Sequence, residues 1–119
     1  METEIPQDWL VPVLRILRDG RFEKEILVPT RVWNDWEADS LGAFLYDVRE
    51  PLIAALSAPN VIGKLIANQP EPGVTYAFWF FYRAADTTRK FYGKICLYDN
   101  KIKIKLLSAH LPNFSSERL

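Results

Sequence analysis

Val74-Thr75-Tyr76-Ala77-Phe78-Trp79-Phe80-Phe81-Tyr82-Arg83 is the stretch on which the fold of this 119-residue chain turns. It is almost wholly aromatic and apolar, and such residues fit a pleated, packed surface. A short run that is apolar on both parities reads as a central strand covered on both sides. The small polar segment 84–89 after it reads as a loop. Residues 90–98 and 101–109 then flank Asp99-Asn100, two residues that tolerate the positive φ of a tight hairpin turn. A two-residue turn there predicts a register: Tyr98 opposite Lys101, Cys96 opposite Lys103, and Lys94 opposite Lys105. On the other face Leu97 meets Ile102, and Ile95 meets Ile104. One parity is then apolar on both strands and the other carries the lysines.

Working outward, residues 8–18 read as a helix. Leu10, Val13, Leu14 and Leu17 form one stripe, Pro12 falls in or near the first turn, and Gly20 stops it. Residues 21–28 read as a short strand at an edge of the meander, ended by Pro29. Asn34 with Glu37 resembles a capping box opening a helix over about 35–49, with Leu41, Phe44, Leu45 and Val48 as its stripe. Pro51 breaks, kinks or restarts that helix. A further short segment spans 61–67. Segment 68–73, with two prolines and a glycine, is a joint. The expectation is one domain of α+β class: a helical half over 1–67, the joint at 68–73, a β-meander over 74–112 and a polar tail at 113–119. The helices should cover one face of an antiparallel meander of three or four strands.

The apolar share of 49% is enough for a core without disulfides or metal. One cysteine excludes an internal disulfide and favours a reducing compartment. The acidic start, Met1-Glu2-Thr3-Glu4, is unlike a signal peptide, and no apolar run reaches membrane-spanning length. The expected location is cytoplasmic, with no membrane partner. Net charge is zero, but residues 1–82 hold seven Lys and Arg against twelve Asp and Glu, while residues 83–119 hold eight against three. A basic second half suits an anionic partner, the acidic half of its own chain, or a second copy.

Two groups of residues carry candidate chemistry. Lys94, Lys101, Lys103 and Lys105, with Tyr92 and Tyr98 on the same parity, make a basic face on which phosphates could lie and bases stack. The same lysines would also keep an exposed hairpin soluble and unpaired. Ser108 and His110 share the other parity, at the end of the core-facing row, with Arg89 or Lys90 opposite. A histidine exchanges protons near neutral pH, and a neighbouring cation holds phosphate. Asp35, Glu37 and Asp39 suit a helix start for dipole reasons, and no second histidine or cysteine pair accompanies them. No cofactor or metal is called for. Cys96 has no activating constellation, and Trp9, Trp33, Trp36 and Trp79 suit a core or interface.

Helices followed by an aromatic strand and a hairpin ending in Leu107-Ser108-Ala109-His110 resemble small endoribonucleases of the barnase, colicin and RelE-toxin kind. The resemblance spans residues 74–112 at the level of topology. It implies an antiparallel sheet preceded by helices, with one sheet face cleaving RNA. It offers His110, Ser108 and Arg89 as catalytic candidates. The chain departs from many RelE-type toxins in being neutral overall. The reading that asks least of the sequence is a non-catalytic binding or regulatory domain whose basic hairpin face meets a protein, a second copy or RNA. The alternative is an RNA-cleaving enzyme using His110.

Overall fold

The computed structural model describes residues 1–112, so the tail expected at 113–119 lies outside the described residues. The chain runs β1 (Glu2–Glu4), α1 (Gln7–Asp19), β2 (Ile26–Leu27), α2 (Thr30–Asp39), a 3-10 turn (Leu45–Val48), α3 (Arg49–Leu56), β3 (Ile62–Ile66), β4 (Gly73–Ala84), β5 (Thr87–Tyr98) and β6 (Ile104–His110). Among the described residues the strands form one sheet in the order β1-β3-β4-β5-β6-β2. The expected meander β4-β5-β6 is its centre, and all pairs are antiparallel except β2 with β6. The class is α+β, with the helices packed on the sheet.

That packing follows from one parity. Tyr76, Phe78 and Phe80 on β4, Phe91, Ile95 and Leu97 on β5, and Ile104, Leu106 and Ala109 on β6 are buried in a single core with the helices. Trp9 and Trp36 bring α1 and α2 onto it. Trp9 sits edge-on to Tyr76, and its Nε1 donates to the Val74 carbonyl at 2.8 Å. Trp36 touches Phe80, Tyr82 and Phe91 and donates to the Phe44 carbonyl at 2.9 Å, so its one polar atom is matched inside the core.

The helices keep their apolar stripes but not all their expected ends. Pro12 lies within α1, beyond the first turn. The last carbonyls of α1 are met by Arg49, which donates to Leu17, Arg18 and Gly20 while its guanidinium stands 5.1 Å over the Phe22 ring. The helix expected over 35–49 is two elements. α2 starts five residues earlier, directly after Pro29. It ends at Asp39, where Leu41 (φ 63°) and Gly42 (φ 92°) turn left-handed and the Gly42 amide returns to the Glu37 carbonyl at 2.8 Å. Leu41 and Phe44, placed in the stripe by periodicity, are exposed, while Leu45 and Val48 are buried. Pro51 does not break anything. It occupies the first turn of α3, where its missing N–H costs little. Segment 61–67, within the expected helical half, holds strand β3, and the expected edge strand at 21–28 pairs with β6 through only Ile26 and Leu27.

The two turns exchange roles. The tight two-residue connection is Ala85-Asp86, closing β4 and β5 with Ala84 opposite Thr87. The connection at Asp99-Asn100 is longer. The Tyr98 amide bonds the Lys103 carbonyl at 3.0 Å, the Lys101 amide bonds the Tyr98 carbonyl at 2.8 Å, and Lys101 takes φ 60°. The register therefore moves by two residues. Leu97 faces Ile104, Cys96 faces Lys105 and Ile95 faces Leu106, so Ile102 is exposed and not a neighbour of Leu97. Between Leu106 and Ser108 a bulge inserts Leu107, and the ladder resumes with Ser108 opposite Lys94, Ala109 opposite Gly93 and His110 opposite Tyr92.

Candidate active site on the second sheet face

The bulge decides what this face carries. Without it, Ser108 and His110 would continue the buried row of Ile104 and Leu106, as regular alternation predicts. With one extra residue the parity reverses, and both side chains share the face of Lys94 and Tyr92, opposite the core-facing one. Ala109 takes the core-facing place and is fully buried.

Three cross-strand rows form there. Lys64 of β3 pairs with Ala77, Ala77 with Lys94, and Lys94 with Ser108. The next row is Trp79, Tyr92 and His110, with ring centroids 5.7 Å apart at each step. Beyond it Phe81 pairs with Lys90, whose ammonium stands 4.5 Å over the Trp79 ring. Rows two residues apart along a strand are separated by roughly 6.6 Å. Lys94, Ser108, Tyr92 and His110 are direct or diagonal neighbours on β5 and β6, whereas Lys64, on β3, stands three strand spacings from Ser108, about 14 Å. Small, buried Ala77 lies between the two lysines and adds little height there.

α2 fixes the end of β6. Arg31 donates to the Leu107 carbonyl at 3.3 Å and bridges to Asp35 at 3.4 Å. Asp39 accepts the Leu111 amide at 2.8 Å. These three residues, with His110 and Leu111, line a polar cleft of about 300 Å³ beside the row. The acids at 35 and 39 therefore anchor the strand end, and β2 covers only the first two residues of β6. His110 Nδ1 lies 2.7 Å from the Leu111 carbonyl. A carbonyl only accepts, so this contact selects the tautomer protonated at Nδ1 and leaves the ring's basic lone pair on Nε2.

The residues singled out from the sequence are partly gathered and partly dispersed. Ser108, His110, Lys94 and Tyr92 come together. Arg89 does not join them: it pairs with Tyr82, on the opposite parity from Lys90 and Tyr92. The lysine ladder is not assembled either. Lys101 and Lys103 lie in the long turn, where Lys101 lines a surface pocket with Arg15 and Asp19 of α1. Lys105 is opposite Cys96 and bridged to Glu71 at 3.2 Å, so Lys94 and Lys105 do not oppose each other. Tyr98 is half-buried at the end of β5, and Cys96 is fully buried.

Sequence reading missed Lys64, Trp79 and Phe81 as members of this face, whereas Lys90, offered with Arg89 as the cation near His110, does lie on it. It took the aromatic run as covered on both sides, yet Phe81 on β4 is 60% exposed. The available signal was the Arg83 end of the Thr75-Ala77-Trp79-Phe81-Arg83 parity, which marks the less covered side. Comparison with protein-family models, with curated proteins and with solved structures gives no match for this chain.

Proposed function

We propose that the protein is an endoribonuclease acting on this second sheet face, with His110 and Tyr92 as proton carriers and Lys94 as the phosphate-holding cation. The observation that carries the reading is the bulge at Leu107, which turns the chain's one histidine out of the core row and sets it beside a tyrosine and the Lys94–Ser108 pair. The alternative of a non-catalytic basic hairpin needs the ladder of Lys101, Lys103 and Lys105, and those residues lie in different places.

RNA carries its own nucleophile, so the protein must supply proton transfer and charge stabilisation. His110, through Nε2, removes the proton from a 2′-hydroxyl as its oxygen attacks the adjacent phosphorus. The bond to the 5′-oxygen breaks, and that oxygen takes a proton from the Tyr92 phenol. The products are a 2′,3′-cyclic phosphate and a 5′-hydroxyl. Attack adds a second negative charge to the phosphoryl oxygens, and Lys94, next to Tyr92 and opposite Ser108, is the cation placed to hold it.

The test is incubation of purified protein with single-stranded RNA and with the same strand carrying 2′-deoxy sugars. Cleavage of the first alone, with cyclic phosphate ends, is expected. His110→Ala should slow it about 10²-fold or more, and Lys94→Ala about 10- to 10³-fold. Arg89→Ala should leave it near wild-type. RNA left intact by the wild-type protein, or cut equally by His110→Ala, would overturn the reading.

A further inference from the structure

We infer that Trp79, Phe81 and Lys90 form a stacking platform for an unpaired RNA base next to the cleaved phosphate, so that the substrate is a single strand. The inference rests on the proposed function for the position of the cleaved phosphate, and on separate observations for the platform itself.

The first observation is an exposed aromatic on an open part of the sheet. β4 pairs with β3 only as far as Ala77, and Phe81 lies where the β4–β5 ladder runs on alone, 60% exposed on the face without helices. Ile62, the exposed residue beside Lys64's row on β3, extends the apolar surface. The second observation is the charge around it. Lys90 is cross-strand partner to Phe81 and lies over Trp79, and Arg83 and Lys94 flank them along their strands. An apolar partner would meet this ring of cations badly, whereas a nucleotide presents a flat π-face with a phosphate at its edge. The carboxylates of this face lie at its margins. Asp86 is 4.0 Å from Arg83 at the hairpin tip, Glu71 is taken up by Lys105, Glu2 and Glu4 are on the outermost strand with Glu2 opposite Lys64, and Asp35 and Asp39 line the cleft beyond His110, at the far end from Phe81.

The third observation is distance. His110, Tyr92 and Trp79 occupy adjacent strands in one row, so His110 and Trp79 are separated by two strand spacings, about 10 Å. One to two nucleotides of an extended strand span that length. A base so placed can turn onto Phe81, beside the Lys90 ammonium that stands over Trp79, only if it is not paired. A duplex keeps its bases stacked inside, and the flat rows of this face offer no shape matched to a helix groove.

The test is binding of a fluorescein-labelled ten-nucleotide 2′-O-methyl RNA, which has no free 2′-hydroxyl to react, followed by fluorescence anisotropy. The wild-type protein and His110→Ala should bind it with similar Kd. Phe81→Ser, at a surface position that leaves the core untouched, should raise Kd about 5- to 100-fold, the weight of one base stacked on one aromatic. Lys90→Ala should weaken binding and lower the slope of log Kd against log salt by about one. The same strand annealed to its complement should bind more weakly. Binding unaffected by Phe81→Ser, or a preference for the duplex, or no binding by the wild-type protein, would overturn the platform. Binding that depends on Phe81 in a protein that never cuts RNA would sustain the platform and sink the nuclease reading. Cleavage with unchanged KM in Phe81→Ser would do the reverse.

Discussion

Ser108 stands directly opposite Lys94, while Leu106, two residues earlier, stands opposite Ile95, the very next residue of β5. Two residues of β6 thus span one of β5, and the face of the strand changes between them. The proposed chemistry depends on that single extra residue.

The relationship can be checked by cross-linking. Directly paired residues of an antiparallel ladder have Cα atoms about 4.5–5.5 Å apart, within the range of roughly 4.4–6.8 Å that a disulfide spans. In a Cys96→Ala background, Lys94→Cys with Ser108→Cys should oxidise readily to a bridged monomer. Lys94→Cys with Lys105→Cys should not, because Lys105 pairs two residues further along β5, which puts the two Cα atoms about 8 Å apart. Gel mobility with and without reductant reads the result. Bridging of the second pair in preference to the first would restore the register of a two-residue turn.

Gly93 should resist enlargement. It faces the core between β4 and β6, and a Cβ there would meet Phe78 at 2.9 Å and Phe80 at 3.0 Å. Both neighbours are rings fixed in the core, buried to within 1%. Overpacking a close-packed site costs about 1–3 kcal/mol. Gly93→Ala should lower the urea midpoint accordingly, without altering the dependence on denaturant. An unchanged midpoint would mean that the aromatic cluster has room the geometry does not show.

The fold was legible where physics is local, and the site was not. The aromatic and β-branched content of 74–83, apolar on both parities, suits a strand wherever it stands, and it placed the central sheet. The stripe of α1 did the same for its helix. The break at Leu41-Gly42 was hidden because Leu41, Phe44, Leu45 and Val48 keep helical spacing, and only the tertiary burial of Leu45 and Val48 separates the two pairs. The bulge was hidden for a related reason. Ile104, Leu106 and Ser108 alternate as if regular, and nothing in Leu107 itself announces an extra residue. Its position follows from contacts remote in sequence, the Arg31 bond to its carbonyl and the Asp39 bond to the Leu111 amide. Trp79 reaches His110's row only through strand order, which no local pattern encodes.

Acid should weaken the segment before β2 through Glu25. The Arg21 amide donates to its Oε1 at 2.8 Å, and this bond holds the carboxyl below its ordinary value of 4.5. A group with a depressed folded pKa contributes stability that is fully present above its unfolded value. That contribution is lost as pH falls through the folded one. Glu25→Gln keeps an acceptor for the amide but cannot titrate. Stability at neutral pH should change little, and the decline below about pH 4.5 should be shallower than in the wild-type protein. An identical acid limb in both proteins would remove Glu25 from the account.

Glu71 links the connection between β3 and β4 to the proposed nucleic-acid face, and its removal should move stability and RNA binding in opposite directions. Its Oε1 takes a hydrogen bond from Lys105 at 3.2 Å, with both side chains largely screened from solvent. Glu71→Gln leaves an ammonium in a partly buried place with a weaker partner. The loss is expected to be about 1 kcal/mol, above the worth of a fully exposed pair and below that of a fully buried one. The same change adds one uncompensated positive charge in the row next to Lys94 and Ser108. Binding of the 2′-O-methyl RNA should therefore tighten, and the slope of log Kd against log salt should steepen by up to one. Lys105→Gln in the Glu71→Gln background removes that added charge and should return the slope to its wild-type value. Stability read by urea unfolding and affinity read by anisotropy must part in this way. A variant in which both fall together would place the RNA on another surface.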